Sequence, residues 1–358
     1  MKKVIIALFL AVATLFSGCS CSSLPALSFS NNWSGGQSEE GAVENAVYTL
    51  SFNEDFRSSD EYIFDVEDGV KQCIKDIEYT GTYKTSLKVI QQADIDIGSE
   101  ESDLLIVEPG QPRPSVIEQT TEFDLNAVYT LIDDQKQTFN DKSYTKSYFF
   151  KTDASLSPIY SEKTYNCTLV SLSVKNNNLS VSFDNEKYAC KFIYNKHSYT
   201  IKDYDYDSFV LDPTVQAKAV RTIGYSYRTV VDNTELLFSL RNLSIEKDKT
   251  KNVPVADFTY GNYQTLIVKN YLKKDEICNV KINNGLTENL EVPVNCLSFG
   301  INASNTGRRQ LVFVQNGAVG SLKNNAFIIK YVQPLTTYGS YTHMGALEYT
   351  LSEINYNK

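Results

Sequence analysis

The sequence predicts a mainly β protein: an antiparallel curved sheet, arranged as a sandwich or half-barrel, with two short helices and a smaller N-terminal lobe. Two observations favour this fold class. Apolar and polar residues alternate with a period of two along most of the 358 residues. Short asparagine- and glycine-containing turns separate these runs, whereas helical spacing is confined to two stretches.

The strand predictions rest on alternation on both sides of turn signals. Residues 169–183 alternate around Asn176-Asn177-Asn178, which predicts a hairpin, and 188–201 alternate around a turn at Asn195-Lys196. The Asn-Gly pairs favour type I′ turns, because both central residues of that turn need a positive φ. The two pairs are Asn284-Gly285 and Asn316-Gly317. Further strands are predicted near the C-terminus at 327–332 and 346–354.

Two segments depart from the β pattern and predict short helices. Apolar residues between Val66 and Ile77 recur at helical spacing. The segment from Asp212 to Gly224 has a helix-capping residue, a proline at the first helical position and a terminal glycine.

The first eighteen residues have the character of a secretory signal peptide. Met1 to Lys3 carry positive charge, and the apolar run from Val4 to Phe16 is too short to cross a bilayer core of about 30 Å. The run ends in Leu15-Phe16-Ser17-Gly18-Cys19, which resembles the lipobox of bacterial lipoproteins. The resemblance implies cleavage before Cys19 and attachment of a diacylglycerol to its thiol. The alternative is an ordinary signal peptide that leaves Cys19 unmodified.

Lipidation would decide where the protein resides. Two acyl chains are enough for stable attachment to a membrane. The lipobox resemblance therefore implies a protein anchored through its lipid to the extracytoplasmic face of the cell membrane, with the membrane as its first partner.

Composition shifts suggest five segments. A serine-rich stretch without a sustained period follows the lipobox, and three of the nine prolines fall between 109 and 114. The predicted segments are a signal peptide at 1–18, a lipidated flexible tether at 19–44, a small N-terminal lobe at 45–97, a proline-containing linker at 98–123 and the main antiparallel β domain at 124–358.

A hexapeptide, Asn-Ala-Val-Tyr-Thr-Leu, occurs at 45–50 and again at 126–131. Duplication of a strand unit and coincidence of two β-forming strands both explain it, and the sequence leaves the choice open. We take it as support for a domain boundary near Leu125.

Seven cysteines are present, and six remain if Cys19 is lipidated. Export permits disulfides, and the pairs closest in sequence are Cys167 with Cys190 and Cys278 with Cys296. Free thiols are the preferred interpretation, because most of these cysteines lie in apolar alternating stretches, where cysteine behaves as a small hydrophobe.

Few residues point to catalysis. His197 and His343 lack the neighbours that a general base or a metal ligand needs, and none of the common catalytic or nucleotide-binding motifs is present. We therefore predict no catalytic residue, no metal and no cofactor.

Two groups of charged residues are candidate sites. Asp203, Asp205 and Asp207 resemble the opening of a calcium loop, but the loop's glycine and glutamate positions hold other residues, so a solvated strand face is preferred. Five arginines are candidates for an anion-binding group, although each is individually expected to pair with the excess acid. These arginines are Arg221, Arg228, Arg241, Arg308 and Arg309.

The net charge of −9 argues against a nucleic-acid partner, since an acidic surface repels phosphate backbones. Segments at 156–161, 231–241 and 345–351 resemble parts of exported proteins built on one curved sheet and are similar to half-barrels of lipoprotein-carrier type. That resemblance implies a concave face that holds acyl chains or hydrophobic ligands and performs no chemistry, and it assigns a role to no residue.

The predicted function is a non-enzymatic binding or envelope structural role, with a protein, cell-wall or lipophilic ligand as partner. The alternative is an extracytoplasmic hydrolase, glycosidase-like, whose carboxylates converge in space. An apolar trough would favour binding, whereas two carboxylates about 5–9.5 Å apart in a cleft would favour hydrolysis.

Overall fold

The computed structural model describes residues 41–59, 62–91, 95, 97, 115–151, 156–175, 178–195, 197–225, 230–243, 245–257, 262–301, 309–338 and 342–357. The predicted signal peptide, Cys19 and nearly all of the tether lie outside the described residues, as do Cys21 and most of the linker.

The fold is mainly β, as predicted. The strands are β1 (Val43–Asn53), β2 (Asp55–Ser59), β3 (Tyr62–Asp65), β4 (Ile74–Ile90), β5 (Ser115–Leu131), β6 (Lys136–Lys151), β7 (Leu156–Lys175), β8 (Asn178–Tyr194), β9 (Ser198–Tyr204), β10 (Ala219–Gly224), β11 (Val231–Asp232), β12 (Thr250–Asp257), β13 (Asn262–Ile282), β14 (Thr287–Gly300), β15 (Gln310–Gln315), β16 (Ile328–Thr336) and β17 (His343–Asn357). The helices of the described residues are α1 (Asp68–Lys71), α2 (Tyr206–Leu211) and α3 (Leu236–Asn242). None of these helices has the length and apolar content needed to cross a membrane.

Fifteen of these strands form one sheet. Its order is β10-β9-β8-β7-β6-β5-β4-β1-β17-β16-β15-β14-β13-β12-β11, and β2 and β3 pair separately. Strand β17 also pairs in parallel with β13, so that β13 to β17 close into a ring of five strands. Residues 311–313 of β15 are each 0% exposed, which means that both faces of this strand are covered.

The other half of the sheet, β1 with β4 to β10, curls into what we call the wing. The tip of its β7–β8 hairpin leaves β6 and turns back, because Asp141 accepts hydrogen bonds from the Thr168 backbone at 2.9 Å and the Thr168 hydroxyl at 2.7 Å. The backbone N–H of Tyr338, beyond β16, donates to the carbonyl of Val170 at 2.7 Å. The β7–β8 hairpin is thereby linked both to β6 and to the segment that follows β16.

Two predicted hairpins are confirmed, and a third turn is shifted by one residue. The tight turn predicted at Asn316-Gly317 is wrong, because β15 ends at Gln315 and its partner β16 begins only at Ile328. Strands β7 and β8 pair on both sides of the asparagine run, and β8 and β9 pair around Asn195. In the turn between β13 and β14, Asn283 and Asn284 have the positive φ values, 49° and 57°, and the Gly285 N–H donates to the Ile282 carbonyl at 2.8 Å. The type I′ turn therefore begins one residue before the position that the Asn-Gly pair predicted.

Both helix predictions need correction. Between Val66 and Ile77 only one turn, α1, is helical, and β4 has begun by Ile74. The residues from Ala219 to Gly224, predicted as helix, pair with β9 as strand β10. Asp212 ends α2 rather than starting a helix: its backbone N–H donates to the Ser208 carbonyl at 2.9 Å, and its carboxylate accepts from the Thr214 N–H at 2.9 Å in the turn that follows.

The predicted domain boundary falls inside continuous structure. Strand β5 runs unbroken through Leu125, and β1 and β4 are interior strands of the same sheet as β5 and β17. Hydrogen bonding between neighbouring strands thus joins the predicted N-terminal lobe to the main domain. The two hexapeptides lie in β1 and β5, on opposite sides of β4, but with different registers: Tyr48 faces Tyr83, and Tyr129 faces Ile77.

The described cysteines are free. Lys163 rather than Cys167 lies opposite Cys190, and Leu290 rather than Cys296 lies opposite Cys278, so register separates both suggested disulfide pairs. The described cysteines that form no disulfide are Cys73, Cys167, Cys190, Cys278 and Cys296. All but Cys167 are buried, as expected for small hydrophobes.

Candidate functional site

The structure separates the three aspartates that resembled a calcium loop. Asp203 lies 3.6 Å from Arg221 and accepts a hydrogen bond from Tyr188. Asp205 caps α2 by accepting from the Ser208 N–H at 3.0 Å, and Asp207 pairs with a lysine on β8. The preferred interpretation, a strand face, is also wrong, because the capping bond starts a helix at this point.

The described arginines are dispersed and do not form an anion site. Arg241 pairs with Glu44, and Arg221 faces Asp203 as noted. Arg309 is buried and donates to the carbonyls of Ile267 at 2.6 Å and Ser298 at 2.9 Å. Arg228 and Arg308 lie outside the described residues. Of the histidines, His197 is exposed, and the His343 backbone N–H donates to Glu67 at 3.1 Å.

Sequence reasoning missed a cluster of four buried ionisable groups, Lys163, Tyr194, Asp232 and Glu235, which together with the half-buried amide of Asn233 we call the charged cluster. The Lys163 ammonium lies 2.7 Å from Asp232 Oδ1 and also bonds Asn233 Oδ1. The Tyr194 hydroxyl donates to the other oxygen of Asp232. The Asp232 backbone N–H donates to Glu235 Oε1 at 3.0 Å, within the turn that precedes α3.

The cluster joins strands that lie far apart in the order of the sheet. Lys163 and Tyr194 come from β7 and β8 of the wing, whereas Asp232 belongs to β11, the last strand on the other side. The same segment, 230–243, is held at two further points. The Gln119 amide donates to the Thr234 carbonyl at 3.0 Å, and Arg241 on α3 pairs with Glu44 on β1. Segment 230–243 is therefore tied to the wing by polar bonds at several positions.

The two carboxylates of the cluster have opposite pKa shifts. Burial alone would raise the pKa of Asp232, but the Lys163 ammonium and the Tyr194 hydroxyl lower it below its ordinary value. Burial raises the pKa of Glu235 well above its ordinary value, and the charge of Asp232 raises it further. Glu235 Oε2 has no hydrogen-bond partner among the described residues, which favours the protonated acid.

Divergent pKa values are typical of acid–base pairs in enzymes, but Asp232 and Glu235 are both closed to solvent. Asp232 and Glu235 are each 0% exposed and Lys163 is 1% exposed. Every charged oxygen of Asp232 is already bonded within the protein. Lys163 and Asp232 therefore match a buried structural ion pair, in which each charge is stabilised in the interior by its partner.

Aromatic side chains of the protein itself cover one face of β4 to β6 in the wing. The Tyr79 and Tyr129 hydroxyls hydrogen-bond at 2.7 Å. Phe183, on the returning hairpin, lies with its ring centre 4.9 Å from Tyr129 and 5.0 Å from Phe139. In this region the chain itself occupies the face that the half-barrel resemblance implied for an acyl chain.

An open cleft of about 360 Å³ lies where β1 and β17 meet the β13–β14 turn. We call it the asparagine cleft, because five of the seven lining side chains are asparagines. The lining residues are Val43, Asn45, Asn283, Asn284, Asn355, Tyr356 and Asn357. They include no carboxylate, amine, imidazole or thiol.

Backbone groups hold three of these asparagines in place. Asn283 Oδ1 accepts from the Tyr356 N–H at 2.8 Å, and Asn355 Oδ1 accepts from the Asn284 N–H at 2.9 Å. Asn357 Oδ1 accepts from the N–H of Val43 at 2.9 Å. An N–H can donate only to the amide oxygen, so these bonds set the orientation of each amide group.

Local signals for both sites exist but are weak. Lys163 shares its strand face with Ser161 and Tyr165. No pattern in the neighbouring sequence indicates that this face is buried. The Asp232-x-x-Glu235 spacing is a helix-start signal that predicts α3. The cleft combines three parts of the chain, and only the turn at Asn284 was predictable.

Comparison with known proteins adds one structural likeness. No protein-family model matches the chain, and no curated protein matches it. One similar solved structure is a β-barrel-like protein of the domain of unknown function DUF1849 from Brucella abortus. It is 7% identical, has a TM-score of 0.45, and the match covers 89% of this chain and 99% of that chain.

Proposed function

We propose that the chain is a lipid-anchored protein of the extracytoplasmic membrane face, whose folded body binds a ligand and does not catalyse a reaction. The observation that carries the binding role is the chemistry of the asparagine cleft. Its amides, Val43 and Tyr356 offer hydrogen bonds and apolar contact but no acid, base or nucleophile of the usual kinds.

The rival function is hydrolysis by converged carboxylates, and the divergent pKa values of Asp232 and Glu235 are the observation in its favour. A substrate would have to reach side chains that are 0% exposed and displace the bonds of Asp232 to Lys163 and Tyr194. For this reason we prefer the binding role.

The anchor rests on the lipobox resemblance at Cys19. We expect the full chain, produced in a bacterium, to incorporate labelled palmitate, and Cys19→Ala to lose the label, because the thiol of Cys19 is the proposed attachment point. Cys21→Ala is the matched control and should keep it. Labelling that persists in Cys19→Ala, or is absent from the unaltered chain, contradicts the anchor.

A further inference from the structure

We propose that the asparagine cleft binds a neutral saccharide through its hydroxyl groups. The inference rests on the proposed function only in assigning a binding role to this cleft, and it names the class of ligand. Four observations lead to it: the charge of the lining, the chemistry of the amides, their fixed orientation and the pairing of the surrounding strands.

The lining selects for an uncharged ligand. The protein has a net charge of −9, yet no lining residue of the cleft is acidic or basic. An anion would meet repulsion from the whole molecule with no cation in the cleft to offset it, and a cation would find no carboxylate in the lining. The volume of about 360 Å³ falls in the range of small-molecule sites.

Amides match sugar hydroxyls because both groups donate and accept hydrogen bonds. Asn283 and Asn357 use their oxygens on backbone N–H groups, which leaves their amide nitrogens as donors in a set orientation. Asn45 is exposed on β1. Donors that are already oriented lose little conformational entropy when a ligand binds.

The pairing of the strands argues against a peptide added as a further strand. Val43 and Asn45 on β1 are paired with β17 on one side and with β4 on the other. Strand β1 therefore offers no unpaired edge at Val43 and Asn45, and recognition by this strand has to come from side chains. Val43 and Tyr356 supply apolar surface of the kind that the carbon face of a sugar contacts.

The test is isothermal titration of the full chain, purified in a sugar-free zwitterionic detergent. The probes are maltotriose and triacetylchitotriose as neutral sugars, trigalacturonate as an anionic sugar and an uncharged hexapeptide. We expect saturable binding of at least one neutral trisaccharide and much weaker binding of trigalacturonate.

Asn45→Ala should weaken that binding by about fivefold, the usual effect of one lost hydrogen-bonding partner. Asn185→Ala is the matched control, because Asn185 is an exposed strand asparagine on β8, outside the cleft lining, and it should bind like the unaltered chain.

The saccharide inference is overturned if neither neutral trisaccharide binds at millimolar concentration. It is also overturned if only the anionic sugar or the hexapeptide binds, or if Asn45→Ala binds as well as the unaltered chain. Palmitate labelling is measured separately, so loss of sugar binding in a chain that labels removes this inference and leaves the anchor standing.

Discussion

The charged cluster and the asparagine cleft are both polar, but they differ in solvent contact and in charge. Lys163 and Asp232 are ionisable residues that are 1% and 0% exposed to solvent. The cleft is open, and most of its lining consists of neutral amides. One site joins distant strands, whereas the other is accessible to ligands.

The difference follows from the cost of removing water. An ionised group loses several kcal/mol when it is buried, and it is tolerated only with a partner that stays in place. A neutral amide loses far less and can exchange water for a ligand. In this protein we therefore propose that the buried charges hold segment 230–243 and that the exposed amides serve recognition.

Lys163→Ala is the change with the largest expected effect. It leaves the carboxylate of Asp232 buried without its cation, so we expect the free energy of unfolding to fall by about 3–5 kcal/mol. Urea denaturation followed by circular dichroism measures it. Lys187→Ala removes an exposed pair with Asp207 and should leave stability nearly unchanged. Equal losses in the two variants would contradict a special role for the buried pair.

Glu235→Gln should alter how stability depends on pH. Below the unfolded-state pKa, about 4.3, the folded and unfolded states both hold the Glu235 proton, and the stabilisation is fully present. As pH rises, the unfolded state releases this proton while the folded state keeps it, because burial raises the folded pKa. The unaltered chain should therefore lose stability with rising pH by up to about 1.4 kcal/mol per pH unit.

The variant has no proton to release, so it should gain stability relative to the unaltered chain between about pH 5 and 8. Urea denaturation across this range measures the difference. Asp232 does not contribute to this change, because its pKa is lowered in the folded state and its ordinary pKa is about 3.9, so both states have lost its proton at these pH values. Glu291→Gln, an exposed control, should follow the unaltered chain. A Glu235→Gln profile parallel to that of the unaltered chain would contradict the raised pKa.

Asn45→Ala should have the smallest effect on stability. Asn45 is exposed on β1, and we expect a change of less than about 0.5 kcal/mol in the free energy of unfolding. The same urea measurement checks it. A large loss would mean that the cleft, like the charged cluster, serves to hold the fold together.

The strands could be predicted because their pattern is local. Alternation around the turns after Lys175 and Tyr194 identified hairpins correctly, and the strands near 327–332 and 346–354 were confirmed. The helix expected over 213–224 was wrong, although its local signals were present. Pairing of Ala219–Gly224 with β9 outweighed them, since tertiary context overrides weak helical propensity.

The charged cluster shows where local pattern stops being sufficient. Alternation places Lys163 on one face of β7, but the covering of that face comes from Asp232 and Glu235, about seventy residues further along. The same holds for the cleft, where Asn45 meets Asn283 and Asn357 only after β1 and β17 have paired.

The sequence by itself determined the β class, the β7–β8 and β8–β9 hairpins and the expectation of a lipidated Cys19, because each depends on neighbouring residues. The tertiary structure alone decided that β13 to β17 close into a ring, that Lys163 is buried and that five asparagines line one cleft. The physical reason is that side-chain alternation specifies which residues share a face, whereas the curl of the whole sheet specifies what covers that face.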